Sequence, residues 1–424
     1  MRKRTKWTAL LGILLAGVML LSACGESSGS ASAGSGSEAA AASGSAGTAG
    51  ERETNGNQEA DPVSGSSGSQ GETAVSDMEP VELTVAFCCW SFADEASMTY
   101  QKYLNYISNE LMTLEQPIKI NWEWVTCFSP EEQLTNLEAI HEKGIDGVIT
   151  LYLSEAMINA FEEWQIPFAN YNYAGPDIEA RAAESPYYVG NLTPGVEALA
   201  EAQMEYVVNT LHCKEVLCLG PAPGLVSHDG RFPVYEEYAA EHPDMIFYES
   251  RTDEPRTDVV NTMLYMHPGI DCIVDTAASG GYGEAVVQTL RTNGLGHGEV
   301  KYVTFDFIED QEQAMEDGII VFTQGGGEVS IMHLFVALLN RMMGTPLADS
   351  ARYWAEVQPI TMTTAEEYRD YKKYVRGRVP AYTMEDYEPY FKWIHPEATA
   401  EGLNKVGTDM SLEDIKERHA AYFE

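Results

Sequence analysis

The chain has 424 residues, with 26 basic against 65 acidic side chains and a formal net charge of −39. So large an acidic excess excludes charge-driven binding to nucleic acid or to an anionic lipid surface, because both would repel it. A hydrophobic share of 44% supports a real core, and seven cysteines are too few for a disulfide-built fold. At about 100–200 residues per domain, two or three domains fit.

Arg2, Lys3, Arg4 and Lys6 precede an apolar run of 13 residues from Ala9 to Leu21. A membrane-spanning helix needs about 20, and this run ends in small residues, which suits cleavage. Leu21-Ser22-Ala23-Cys24 resembles a bacterial lipobox, which implies a lipid on the thiol of Cys24. Residues 1–24 are therefore expected to be a lipoprotein signal peptide. The mature protein is expected outside the cytoplasm, lipid-anchored to the cell membrane by the several acyl chains that stable anchoring takes. Residues 25–80 contain no Phe, Trp, Tyr, Leu or Ile, so they cannot bury enough apolar surface to order themselves. They read as a disordered Gly/Ser/Ala/Glu-rich tether.

A strand–helix alternation follows. Strands are expected at 82–89, 118–127, 146–152, 167–171 and 187–190, with helices at 94–114, from Ser129-Pro130, and at 154–164. The stretch between Tyr171 and Tyr187 reads as irregular. Thr193-Pro194 opens a helix to Leu211, and then strands at 215–220, 245–250, 271–275, 301–305 and 319–323 alternate with helices at 231–241, 256–266, 281–292, 309–316 and 328–343. Such alternation means parallel sheets flanked by helices, and about ten strands exceed one comfortable open sheet. The expectation is α/β, with two doubly wound parallel-sheet domains. Ligands of such sheets bind beyond the carboxyl ends of the strands, which places the site between the two domains.

Enzyme motifs are scarce. There is no dinucleotide or phosphate-loop glycine pattern, no Gly-x-Ser-x-Gly elbow and no His-Glu-x-x-His. The glycine clusters at 280–283 and 325–327 are explained by turn chemistry. No cofactor and no metal are implied. Cys218 and Cys272 sit within apolar strands, while Cys88, Cys89 and Cys127 end neighbouring strands, where a disulfide from Cys127 to either partner stays open.

From Val81 to about Thr364 the chain resembles the type I periplasmic-binding-protein superfamily, in its ribose- and galactose-binding-like branch of ABC transporter solute receptors. The matching segments are Ile145-Asp-Gly-Val-Ile149, Ile166-Pro167 leading to Asn172, Tyr188-Val-Gly190, Arg231 four residues before Tyr235, His267-Pro-Gly-Ile-Asp271, Val303-Thr-Phe-Asp306 and Val321-Phe-Thr-Gln324. The resemblance implies a Venus-flytrap fold with a three-crossover hinge. Its N-terminal domain would be 81–191 with 325–347, and its C-terminal domain 192–324 with a final strand near 355–364. It further implies that Arg231 forks onto sugar hydroxyls, that Asp306 accepts from vicinal hydroxyls, and that Gln324 lies near the hinge. Asn172 stands where an aspartate is usual and Ser279 where an asparagine is usual. The first loop departs furthest, reading Trp90-Ser91-Phe92-Ala93-Asp94. Trp90 is the preferred aromatic platform over Phe92, with Ser91 and Asp94 as hydrogen-bonding groups. Tyr173 and Tyr282 are weaker aromatic candidates.

Residues 365–424 extend past the family's usual end. Thr383-Met-Glu-Asp386 and Ser411-Leu-Glu-Asp414 look like helix N-termini, and Tyr368, Tyr371, Tyr374, Tyr387, Tyr390, Phe391 and Trp393 suggest helices packed on the body. The resulting expectation is a monomeric, non-enzymatic receptor that passes a sugar-like molecule to a permease. A sensor of the same fold, signalling to a chemoreceptor or histidine kinase, is the alternative. An enzyme using Asp275 and Asp306 is the third reading.

Overall fold

The computed structural model describes residues 78–424, apart from residues 94, 173, 194, 225, 349–352, 357–358 and 424. The expected signal peptide, Cys24 and nearly all of the expected tether lie outside the described residues.

Two six-stranded sheets organise the chain. The first has the order β11-β5-β4-β3-β1-β2 and the second β12-β10-β9-β8-β6-β7. The strands of the first sheet are β1 (Val81–Cys89), β2 (Ile118–Thr126), β3 (Gly147–Thr150), β4 (Phe168–Asn170), β5 (Tyr188–Thr193) and β11 (Tyr353–Glu356). The second contains β6 (Glu215–Gly220), β7 (Ile246–Arg251), β8 (Cys272–Asp275), β9 (Lys301–Phe305), β10 (Ile320–Gly325) and β12 (Ile360–Met362). Every pairing is parallel except that of β10 with β12. The central strands are covered on both faces: every residue of β3 and of β8 is buried, which explains their continuous apolar reading.

Helices connect these strands. Those of the first half are α1 (Glu95–Leu111), α2 (Pro130–His141), α3 (Glu155–Trp164) and α4 (Pro176–Ala183). Around the second sheet lie α5 (Val196–Glu205, continuing as a π-helical turn to Leu211), α6 (Val226–Asp229), α7 (Phe232–Glu241), α8 (Arg256–Met266), α9 (Tyr282–Thr292) and α10 (Gln311–Glu316). Ser129 caps α2 by accepting from Glu132 N at 3.1 Å, as its sequence suggests. The segment after Tyr171 is not wholly irregular. It contains α4, which has Pro at its first position and a single large apolar residue, Ile178, so it carries no apolar stripe. Its Glu179 is held by Tyr188 (2.7 Å) and Asn191 (2.5 Å) of β5, a support that only the fold supplies.

The chain passes between the sheets three times: after β5, after β10, and between Glu356 of β11 and Ile360 of β12. The single strand expected near 355–364 is thus two short strands, one in each sheet. The passage after β10 runs through Gly325, Gly326 and a 3-10 turn (Gly327–Ser330) into α11 (Ile331–Met342). Gly326 has φ +87°, and a Cβ on Gly325 would lie 2.3 Å from the Phe307 ring, so this passage demands glycine twice. All residues of α11 from Ile331 to Asn340 are buried, because α1, β5 and the C-terminal extension surround it.

That extension comprises α12 (Ala365–Asp370), a π-helical turn (Tyr371–Val375), α13 (Met384–Tyr387), α14 (Ala400–Thr408) and α15 (Leu412–Phe423). Thr383 forms a capping box with Asp386, and Ser411 Oγ accepts from Asp414 N at 3.1 Å. Tyr368, Tyr371, Tyr382, Tyr387 and Phe391 are buried, so the aromatic tail packs on the body. Among the described residues no helix is long and apolar enough to cross a membrane. The six cysteines among the described residues are buried free thiols; Cys127 Sγ reaches Gln133 Oε1 at 3.5 Å.

Candidate functional site

The carboxyl ends of β6, β8, β9 and β10 gather polar side chains in the second half. Arg231 sits immediately before α7 and is only 4% exposed. Its Nη1 donates to the Thr276 carbonyl just beyond β8, and its guanidinium lies 4.6 Å from the Phe305 ring centroid. Its Nε has no hydrogen-bond partner among the described residues. Burial pulls its pKa below the usual arginine value, with Tyr235, Asp306 and Asp275 acting in the opposite sense.

Asp306 follows β9 with φ +67°, a left-handed conformation rare for a residue with a side chain. Three contacts impose it: its N–H donates to Gln324 O at 2.8 Å, its carbonyl accepts from Thr323 Oγ1 at 2.6 Å, and its Oδ2 accepts from Ser279 Oγ at 2.8 Å. Burial raises its pKa above the usual aspartate value, while Ser279 and Arg231 favour the charged form. Asp306 is not a helix cap, since α10 begins after Asp310. Gln324 is 2% exposed; its Nε2 is 3.5 Å from Thr361 Oγ1, and its Oε1 has no partner among the described residues.

The first half contributes residues after β1 and β4. The Trp90 ring is 42% exposed, whereas Phe92 is partly buried against Phe87 (6.4 Å) and Trp124 (5.7 Å). Ser91 Oγ accepts from Ala93 N at 3.0 Å. Asn172 N donates to Asn170 Oδ1 at 3.3 Å, which shapes the turn after β4. Asp94 and Tyr173 lie outside the described residues. The lips approach closely: a Cβ on Gly175 would meet Val226 of α6 at 3.4 Å.

Three residues missed by sequence reasoning, His228, Thr276 and Arg256, join this cluster. His228 Nδ1 lies 2.8 Å from Thr276 Oγ1, and burial together with Arg231 and Arg256 pulls its pKa down to about 4, so it is neutral at pH 7. Arg256 Nε lies 3.4 Å from Asp275 Oδ2, with both side chains essentially inaccessible. The Tyr282 ring covers that guanidinium at 4.8 Å. Burial pushes Asp275 up to about 6, and Tyr302 OH donates to it at 3.4 Å. Of these, only His228 had a local signal, lying one helical turn before Arg231. Asp275 itself was read as half of an acid–base pair with Asp306; it is 0% exposed and held by Arg256.

Neither a family model nor a curated relative matches this sequence. Solved structures do. An ABC transporter periplasmic solute binding protein from Actinobacillus succinogenes with bound D-allose aligns over 68% of this chain and 100% of its own, with TM-score 0.56 and 18% identity. A galactofuranose binding protein aligns over 69% and 98%, with TM-score 0.57 and 13% identity. The chain has the type I periplasmic-binding-protein fold. A candidate LacI transcriptional regulator from Bacteroides fragilis also aligns, over 69% and 99%, with TM-score 0.53 and 12% identity, so this periplasmic-binding-protein fold is shared by proteins of different function.

Proposed function

We propose that this protein captures a sugar-like small molecule between its two halves and delivers it to an ABC transporter permease. The observation that carries the reading is a pair of orphaned buried polar atoms, Arg231 Nε and Gln324 Oε1, both at the carboxyl edge of the second sheet, where Asp306 also lies. A buried unsatisfied group costs about 1–3 kcal/mol, and a polyol supplies both acceptors and donors. Arg231 and Asp306 carry opposite charges, which suits a neutral ligand in a strongly acidic chain. In this reading Trp90 offers the stacking face, and Ser91, Phe92 and Asn172 complete the first-half wall; Asp94 and Tyr173 are further ligand contacts proposed from the sequence alone. Ser279 acts through Asp306. The working domain division is 81–193 with 326–347 and β11 against 195–325 with β12 (Ile360–Met362), because β5 ends at Thr193 and β10 at Gly325.

Titration calorimetry with D-allose, D-galactose and a panel of other aldoses and ketoses tests the proposal. Saturable heat from at least one is expected; none from any sugar overturns it. Anchoring is tested separately. Cys24→Ala is expected to move the protein from the membrane fraction to the soluble extracytoplasmic fraction, and retention in membranes would remove the lipoprotein reading.

A further inference from the structure

Residues Tyr368 to Gly377 of the extension touch both halves of the molecule and the passage between them. Toward the second half, Arg369 Nη1 lies 3.1 Å from Glu312 and 2.8 Å from Glu316 of α10, and Lys372 pairs with the same Glu312. Toward the first half, the Tyr103 hydroxyl of α1 donates to Val375 O at 2.6 Å. Lys102 Nζ donates to Arg376 O at 3.2 Å and to Gly377 O. Between these attachments, Arg376 places Nη2 at 2.8 Å and Nε at 3.0 Å from Glu328 Oε1, which the Tyr371 hydroxyl also reaches at 2.8 Å. Glu328 belongs to the turn just after Gly326, on the passage from the second sheet to α11.

We propose that this segment is a brace across the hinge, fixed to the first half, joined to the second by the chain from β12 and by Tyr368 and Tyr371 against Phe307, with its ion pairs to α10 as the releasable attachment. The asymmetry follows from burial. Arg376 and Glu328 are each under one-tenth exposed, and separating a buried pair leaves an uncompensated charge, so this joint persists. The contacts to α10 are between side chains one-third to one-half exposed; such pairs are weak and exchange with water and salt. Closure of two lobes needs the crossover segments to change conformation, and the brace clamps one of them at Glu328. In the conformation described, the lips are near enough that a Cβ on Gly175 would lie 3.4 Å from Val226, and the α10 attachment is made. The attached brace therefore favours this separation of the halves, and a wider one loosens it from α10.

The same segment reaches the cleft. Phe307, directly after Asp306, lies 4.9 Å from Tyr371 and 5.6 Å from Tyr368, with the Arg376 guanidinium 4.9 Å from its ring. Movement of the brace is thus transmitted to the turn that carries Asp306.

Spin labels on Asp177→Cys and Glu254→Cys, exposed at opposite lips, read the separation of the halves by pulsed electron resonance. The protein is the full chain carrying Cys24→Ala, whose other native thiols are buried. Arg369→Glu with Lys372→Glu places two acids beside Glu309, Asp310, Glu312 and Glu316. The ligand-free distance distribution is expected to broaden and shift to longer separations by several ångströms. Restoring the pairing with Glu312→Lys and Glu316→Lys should bring it back. In the unsubstituted brace, raising KCl from 0.05 to 1 M should produce the same lengthening, which keeps the test independent of variant folding. A distribution that responds to neither the reversal nor the salt overturns the brace, as does a lengthening that the compensating charges fail to reverse.

Discussion

Arg231→Ala is expected to weaken ligand binding by about 2–4 kcal/mol, roughly 30- to 1000-fold at 1.4 kcal/mol per decade. The guanidinium is nearly inaccessible, and its removal leaves the Asp306 carboxylate without the opposite charge that favours its ionised form. Asp306→Ala should cost a similar amount by the converse loss, and it also removes the acceptor of Ser279. The two effects are not additive, because each single change already breaks the shared electrostatic pair. Trp90→Ala should cost less, about 1 kcal/mol, since a half-exposed ring contributes a stacking face without stranding a charge. The measurement is calorimetry with whichever sugar the panel identifies, alongside thermal melts. Wild-type affinity in all three variants with cooperative melts would mean that the ligand binds elsewhere.

The fold was legible because its central strands are buried on both faces. Gly147–Thr150 and Cys272–Asp275 read as short apolar runs, and the helices between them announce themselves by caps such as Ser129-Pro130. What the sequence hid was structure that depends on distant partners. Helix α4 lacks an apolar stripe and is held through Glu179, whose partners lie 9 and 12 residues further on in a strand. Residues after β5 and β10 enter the opposite half at points where the local pattern is unbroken, so the split of the last strand into β11 and β12 left no periodic trace.

The site divides the same way. Arg231 and Asp306 stood out through family-like spacing. The role of Thr276, which binds both Arg231 and His228, arises because β6 and β8 are adjacent in the sheet though more than 50 residues apart in sequence. Ser279 stands where the family usually has an asparagine; the adjacency of β8 and β9 makes it a donor to Asp306. The left-handed backbone at Asp306 has no sequence signal at all. It is imposed by Thr323, Gln324 and Ser279 from neighbouring strands and turns.

His333→Phe is expected to flatten an acid-induced loss of stability. His333 lies in the wholly buried stretch of α11, where Tyr387 OH is 3.5 Å from Nδ1 and Nε2 has no partner among the described residues. Burial pulls its pKa down to about 4 from an ordinary value near 6.5. Between those two values the unfolded chain carries a proton on this residue and the folded chain does not, so folding becomes less favourable as pH falls through that window. At about 1.4 kcal/mol per unit, the full span amounts to roughly 3 kcal/mol. His228, also near 4, acts in the same direction, whereas Asp275, raised to about 6, takes up its proton more readily when folded and acts oppositely over the lower part of the range. The difference between the wild type and His333→Phe cancels those shared contributions. Denaturant melts at half-unit steps from pH 7 to 4.5 should show the wild type losing about 2–3 kcal/mol relative to the variant. Parallel stability curves would mean that His333 titrates alike in the folded and unfolded chains, so that its burial does not hold the ring neutral.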